Sequence, residues 1–150
     1  MSKIITIACD HAGYDLKNAL KKEILNMGFE VIDCGTNSSV SVDYPDFAKL
    51  AVDNILKKKS DIAVLICGSG IGMSITANRF NGIRAALCRN ANDAKLARQH
   101  NNANILALGG ISEYNIHKLK LLNIKGYGGI RMFKKKPAFK RPVFIKKNFF

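Results

Sequence analysis

The stretch from Asp61 to Arg79 constrains this chain more than any other. Ile62 to Ile66 form an unbroken apolar run, rich in β-branched residues and without a polar face. Such a run suits a strand covered on both sides in a parallel sheet. Three glycines then alternate at Gly68, Gly70 and Gly72, where the chain can turn sharply and a ligand can approach the backbone closely. Ser74, Ala77 and Asn78 follow at helical spacing. The loop therefore opens a helix whose free N–H groups face whatever lies beyond the strand end, a geometry that favours an anion. Cys67 sits at the lip of that loop, where neighbouring amides favour a thiolate. Taken alone, a cysteine at a buried strand end is more often inert packing than a catalyst.

The flanking segments repeat the strand and helix pattern. Lys3 to Cys9 reads as a first strand and is followed by Asp10-His11-Ala12-Gly13. From Tyr14 to Met27, apolar residues recur at helical spacing, with Lys17, Lys21, Lys22 and Glu23 expected on the solvent face. Gly28 is placed for a left-handed cap. Phe29 to Cys34 reads as a second strand, Gly35 to Asp46 as a polar loop, and Phe47 to Leu56 as a helix ending in three solvated lysines. Beyond the central loop come a strand at Arg84 to Cys88, a helix at Asn92 to His100 and a strand at Asn104 to Leu108. Strands alternating with helices through short connections predict an α/β protein. The expected architecture is a three-layer α/β/α sandwich around a doubly wound, Rossmann-like, five-stranded parallel sheet. Ligands of such sheets bind beyond the carboxyl ends of the strands, near the switch in strand order.

Composition narrows the function classes. The net charge of +13 resembles a nucleic-acid signal until it is divided along the chain. Residues 1–110 carry 13 basic and 10 acidic side chains, whereas residues 111–150 carry 11 basic residues and only Glu113. The chain accordingly divides into a core at 1–110 and an atypical basic tail at 111–150. Cations interleaved with Phe139, Phe144, Phe149 and Phe150 could suit single-stranded nucleic acid. Disorder or a shifted reading frame in an AT-rich gene explains that composition more simply, so nucleic acid is not the expected partner. Cys9, Cys34, Cys67 and Cys88 each close an expected strand and lack CxxC spacing, which fits free thiols in a reducing cytosol rather than a disulfide or zinc scaffold. No secretory signal and no apolar run near membrane-spanning length is evident. The expected setting is cytoplasmic, without a membrane partner.

A dinucleotide-binding fingerprint would follow the first strand and precede an acidic residue about 20 positions later; here the glycines follow the third. No Gly-Lys-Ser/Thr follows, which excludes a Walker loop.

Five motifs in order carry a more specific resemblance. They are Asp10-His11-Ala12-Gly13, Asp43-Tyr44-Pro45-Asp46, Cys67 to Ser74, Gly82-Ile83-Arg84-Ala85 and Arg98-Gln99-His100-Asn101. In this spacing the chain resembles type B ribose-5-phosphate isomerase over about residues 3–110, within a superfamily that includes the galactose-6-phosphate isomerase subunits. The resemblance implies interconversion of ribose 5-phosphate and ribulose 5-phosphate without metal or cofactor. It also implies a homodimer, or a dimer of dimers, whose active sites use both subunits. By motif match Cys67 is the base that moves a proton through an enediolate. Some members place a glutamate later in the loop, where this chain has Met73.

His100 matches the acid that opens the furanose ring, and imidazole titrates in the right range. Asp10, His11, Tyr44 and Asn101 match sugar or phosphate contacts. The backbone from Gly68 through Ser69, Gly70 and Ile71 to Gly72, with the Ser69 hydroxyl, is expected to supply oxyanion donors. Two rivals stand beside this reading, a galactose-6-phosphate isomerase subunit and a catalytically impaired phosphosugar-binding protein. The pattern departs from the family at Ile111, where an arginine is usual, and Gly128-Gly129-Ile130-Arg131 only partly matches the expected phosphate segment.

Overall fold

The structure, a computed structural model, describes residues 4–109; the tail expected at 111–150, with Ile111, lies outside them. Five strands, β1 (Ile4–Cys9), β2 (Glu30–Asp33), β3 (Ile62–Ile66), β4 (Ala85–Cys88) and β5 (Ile105–Leu108), alternate with four helices. The helices are α1 (Tyr14–Asn26), α2 (Tyr44–Leu56), α3 (Ile71–Ala77) and α4 (Ala91–Asn101), and a single 3-10 turn at His11–Gly13 precedes α1. All strand pairs are parallel and the spatial order is β2-β1-β3-β5-β4. The order reverses between β1 and β3, which makes the gap beyond their carboxyl ends the natural binding crevice.

All five residues of β3 are buried, as their uninterrupted apolar run requires of a central strand. One face of the sheet packs Ile5, Ile7 and Val64 against Leu20 and Ile24 of α1 and Ala94 and Ala97 of α4. The opposite face packs Leu65 and Ile105 against Ala48, Ala51 and Val52 of α2 and Met73 and Ala77 of α3. These are the expected three layers. Small alanines on the helix faces let the helices approach the sheet closely, while the branched strand residues fill the space between.

Three local readings change. First, α2 begins at Tyr44 rather than Phe47. Pro45 lies in its first turn, where a ring-fixed φ suits a helix and no backbone N–H is needed. Second, Cys34 and Cys67 follow β2 and β3 instead of ending them, whereas Cys9 and Cys88 are terminal strand residues.

Third, Lys17 is not solvated: it is 1% exposed. It shares one helical stripe with Leu20 and Ile24, so α1 carries its ammonium inward. Nζ donates to the Thr36 carbonyl at 2.8 Å, lies 3.2 Å from Asp33 Oδ1, and sits 5.6 Å from the centre of the Tyr14 ring. Lys21 donates to the other Asp33 oxygen at 2.9 Å. Burial alone would raise the Asp33 pKa, but hydrogen bonds from Lys21, the Gly35 N–H and Lys17 outweigh it and hold the carboxyl below its ordinary range.

That depression gives the pair a defined pH dependence. A carboxylate more acidic when folded stabilises the fold above its unfolded pKa and loses that contribution as pH falls through the folded value. Asp33→Ala leaves a buried ammonium without its counter-ion and is expected to cost about 3 kcal/mol at neutral pH. Urea unfolding should show the gap between wild type and variant shrinking only below the ordinary carboxylate range.

Candidate active site

The β1 and β3 ladder pairs Cys9 with Ile66, so the next residues, Asp10 and Cys67, emerge side by side. The Asp10 N–H donates to the Ile66 carbonyl at 3.2 Å, which continues the ladder past the strands. Asp10 then caps the 3-10 turn, its Oδ1 accepting the Gly13 N–H at 3.1 Å. Gly13 is required there, because a Cβ would lie 2.6 Å from the Ile66 carbonyl oxygen. The turn is thereby pressed against the end of β3, and it brings Ala12 next to Gly68.

Cys67 is 7% exposed at the base of this crevice, and the Gly70 N–H donates to its Sγ at 3.1 Å. The other thiols are shifted by burial. Burial pushes Cys9 up to about 11 against the opposing pull of Lys17, and pushes Cys88 up to about 12. Burial likewise raises Cys34, whose sulfur accepts from the Asn54 amide at 3.3 Å.

The glycine loop is seated by close backbone contact. Gly70 takes φ +77°, the left-handed region that favours glycine, and a Cβ on Gly109 would fall 2.0 Å from the Gly70 nitrogen. Within the glycine loop, two amides have protein partners of their own. Gly70 uses its N–H on Cys67, and Ile71 donates to Ser69 Oγ at 3.2 Å. The Gly68, Ser69 and Gly72 amides have no partner among the described residues, and the Ser69 O–H keeps its hydrogen to donate. Met73 is fully buried against α2 and the sheet.

Two distant segments complete the cluster. Tyr44, on the first turn of α2, lays its ring over Gly72, where a Cβ would come within 2.8 Å of the ring. His11 accepts the Val42 N–H on Nδ1 at 3.2 Å, which leaves Nε2 as the donor nitrogen of the neutral ring. Asp10, His11, Tyr44 and Cys67 to Gly72 therefore surround one crevice. A groove of about 490 Å³ lined by Tyr44, Pro45, Lys49, Ile75, Thr76, Arg79 and Phe80 flanks it.

His100 and Asn101 do not join them within one chain. They end α4, where Arg84 Nε donates to the Asn101 carbonyl and the left-handed Asn102 closes the helix. Arg84 immediately precedes β4, so both residues lie at the amino edge of the sheet. A helix leading into a parallel strand must end at that edge. At about 3.3 Å per residue, the four residues of β5 alone put roughly 13 Å between them and the crevice. Both are exposed. Lys17 and Asp33 are the neighbours of the cluster that sequence reasoning missed.

The ribose/galactose isomerase family profile matches residues 5–121. The chain belongs to that family. It is 45% identical to ribose-5-phosphate isomerase B of Escherichia coli over 107 residues, covering 71% of this chain and 72% of the relative. It is 40% identical to a galactose-6-phosphate isomerase subunit of Clostridium acetobutylicum over 107 residues, 71% of this chain and 62% of that subunit. Among solved structures, a ribose 5-phosphate isomerase from Thermotoga maritima superposes with a TM-score of 0.74 at 45% identity, covering 88% of this chain and 96% of that one. As a family member, this chain is an isomerase with the α/β architecture expected from its sequence. Among the described residues no cluster of His, Cys, Asp or Glu could hold a metal ion, and no helix is long and apolar enough to cross a membrane.

The glycine contacts separate structural from ligand-facing roles in this isomerase. A Cβ on Gly68 would meet only the Ala12 methyl at 3.7 Å, whereas one on Gly109 would strike the Ser69 and Gly70 backbone. Gly68→Ala should change stability by less than about 0.5 kcal/mol. Gly109→Ala should lower the melting temperature sharply or prevent folding, and thermal melts of the two proteins compare them directly.

Proposed function

We propose that this isomerase interconverts ribose 5-phosphate and ribulose 5-phosphate through an enediolate, with Cys67 as the base. The observation that carries the reading is the Cys67 sulfur, held at the switch-point crevice by the Gly70 N–H beside the Asp10–His11 turn. The pentose substrate is favoured because the resemblance to the E. coli ribose-5-phosphate isomerase, at 45%, is stronger than that to the galactose-6-phosphate isomerase subunit, at 40%.

In this mechanism the Cys67 thiolate removes the proton from C2 of the open aldose. The C2–H electron pair forms the C1–C2 double bond of the enediolate, and the carbonyl electrons move onto O1. The thiol then returns the proton to C1 as a proton passes from O2 to O1; the O2–H pair forms the C2=O2 carbonyl, the C1=C2 pair becomes the new C1–H bond, and the ketose is released. The cost of the step is the charge that grows on oxygen, which prepositioned donors offset. The unpartnered Gly68, Ser69 and Gly72 amides and the Ser69 hydroxyl lie within this loop, and the neutral His11 ring offers Nε2–H. Asp10, Tyr44 and Asn101 contact the sugar or its phosphate.

The ring-opening acid is His100, and it reaches the crevice from a second copy. The separation of His100 from Cys67 within one chain supports this reading. So does an apolar strip beside the crevice, where Tyr44, Ile71 and Ile75 are 41%, 49% and 61% exposed. In a homodimer packed along that strip, each crevice receives His100 and Asn101 of the partner. The isomerase core spans residues 1–110, and the protein works in the cytoplasm.

Purified protein should turn over ribose 5-phosphate with a higher kcat/KM than galactose 6-phosphate, and the reverse order would transfer the protein to the hexose branch. Cys67→Ala is expected to lower kcat about a thousandfold while substrate still binds. Sharing of the site is tested by mixing. Cys67→Ala and His100→Ala subunits, each inactive alone, form mixed dimers with one intact site. After unfolding and refolding together they should regain about a quarter of wild-type activity if subunits pair at random. No recovery would show that both residues act within one subunit.

A further inference from the structure

Lys17 is the one fully buried cation described, and it lies beside the crevice without facing it. Burying an ammonium is costly, and ion pairs of this kind are often no more stabilising than the apolar residues they could be replaced by. Leu20 and Ile24 on the same stripe show that an apolar side chain would pack there. What Lys17 adds is direction. Its Nζ holds the Thr36 carbonyl at 2.8 Å and lies 3.2 Å from Asp33 Oδ1, so it ties the start of the loop between β2 and α2 to the first turn of α1. Gly35 makes the fit possible, because a Cβ there would come within 2.6 Å of Lys17 Cδ.

The same loop carries the group that fixes His11. Six residues beyond Thr36, the Val42 N–H donates to His11 Nδ1 at 3.2 Å. Two residues further, Tyr44 opens α2 and covers Gly72. Between those points Asn37 to Ser41 are exposed. Short-range bonds link this stretch: the Thr36 hydroxyl donates to the Ser38 carbonyl and accepts from the Ser38 N–H, and the Val40 N–H donates to Ser38 Oγ. Thr36 is thus held on both sides, its carbonyl by Lys17 and its N–H by the Cys9 carbonyl at 3.1 Å, and the loop meets the crevice again at Val42.

We propose that Lys17 is a positioning residue. By anchoring Thr36 it places the Val42 N–H on His11 Nδ1, and so selects the imidazole tautomer that presents Nε2–H to the sugar phosphate. An imidazole with Nδ1 occupied by a donor is an acceptor on that nitrogen and a donor on the other. Without the tether the ring is free to carry its proton on Nδ1 and to meet a substrate oxygen with a lone pair. The role toward the sugar phosphate rests on the isomerase reading above; the selection of the tautomer does not.

The test uses the full chain, unliganded and 15N-labelled, with His11 resonances assigned by comparison with His11→Gln. In wild type, long-range 1H–15N spectra should show a single Nε2–H tautomer at neutral pH, with a 15N–15N coupling across the Val42–His11 hydrogen bond. Lys17→Met keeps the volume of the stem and leaves Asp33 paired with Lys21. It should fold, lose that coupling and populate both tautomers. KM for ribose 5-phosphate should rise about tenfold, the scale of one lost hydrogen bond, with a smaller change in kcat. A folded Lys17→Met protein with the wild-type tautomer and coupling would overturn the proposal. If the variant does not fold, the wild-type spectrum still decides: an Nδ1–H tautomer without the coupling overturns it. Wild type that shows the coupling but does not turn over ribose 5-phosphate would refute the ribose 5-phosphate reading and leave the tautomer selection standing.

Discussion

The functional cluster depends on the parallel pairing of β1 with β3. That ladder, with Cys9 opposite Ile66, is where the strand order reverses, so no crossover helix covers the sheet edge at that point. The two strands release Asp10 and Cys67 next to each other, and the ladder continues for one more bond, from Asp10 to Ile66. Every other group in the crevice is then placed relative to that pair. The 3-10 turn can only press in because Gly13 has no Cβ, and the cysteine loop can only settle on β5 because Gly109 has none. Backbone against backbone is a stiff contact, and a base that must meet a particular C–H benefits from a support that does not relax.

Charge is handled differently in the layer behind the crevice. Lys17 and Lys21 divide the two oxygens of Asp33, and Thr36 takes a further hydrogen from Lys17. This network lies between α1 and β2, at the edge of the sheet, and its hydrogen bonds from Lys21, Gly35 and Lys17 outweigh burial and keep the carboxylate ionised. It couples the rigid strand end to the loop that reaches His11 and Tyr44. The result is a crevice with one wall of glycine backbone and another of loop held by a buried cation.

Much of this was legible in the residues. The five strands follow from apolar runs that alternate with helical stripes, and Gly28, left-handed at φ +81°, ends the first helix as its position predicts. The rule that ligands bind at strand carboxyl ends grouped Asp10, His11 and Cys67 with His100 and Asn101, and only the first three follow strands; the last two end α4. Lys17 was misread because its charge was given more weight than its position one turn before Leu20. The start of α2 was misread because the polar residues of Gly35 to Asp46 were all given to a loop, whereas Pro45 suits the first turn of a helix. His100 and Asn101 were legible as a motif, and the topology by itself puts the end of their helix at the far edge of the sheet.

The sequence by itself determined the layered α/β class, the strand ends that carry polar residues and the motifs that tie the chain to its family, because these depend on periodicity and local backbone preference. Only the tertiary structure decided that Tyr44 lies on Gly72, that Val42 meets His11 and that Lys17 is enclosed. Those relations join residues tens of positions apart. They are set by how helices and loops pack across the sheet, and no local pattern encodes that distance.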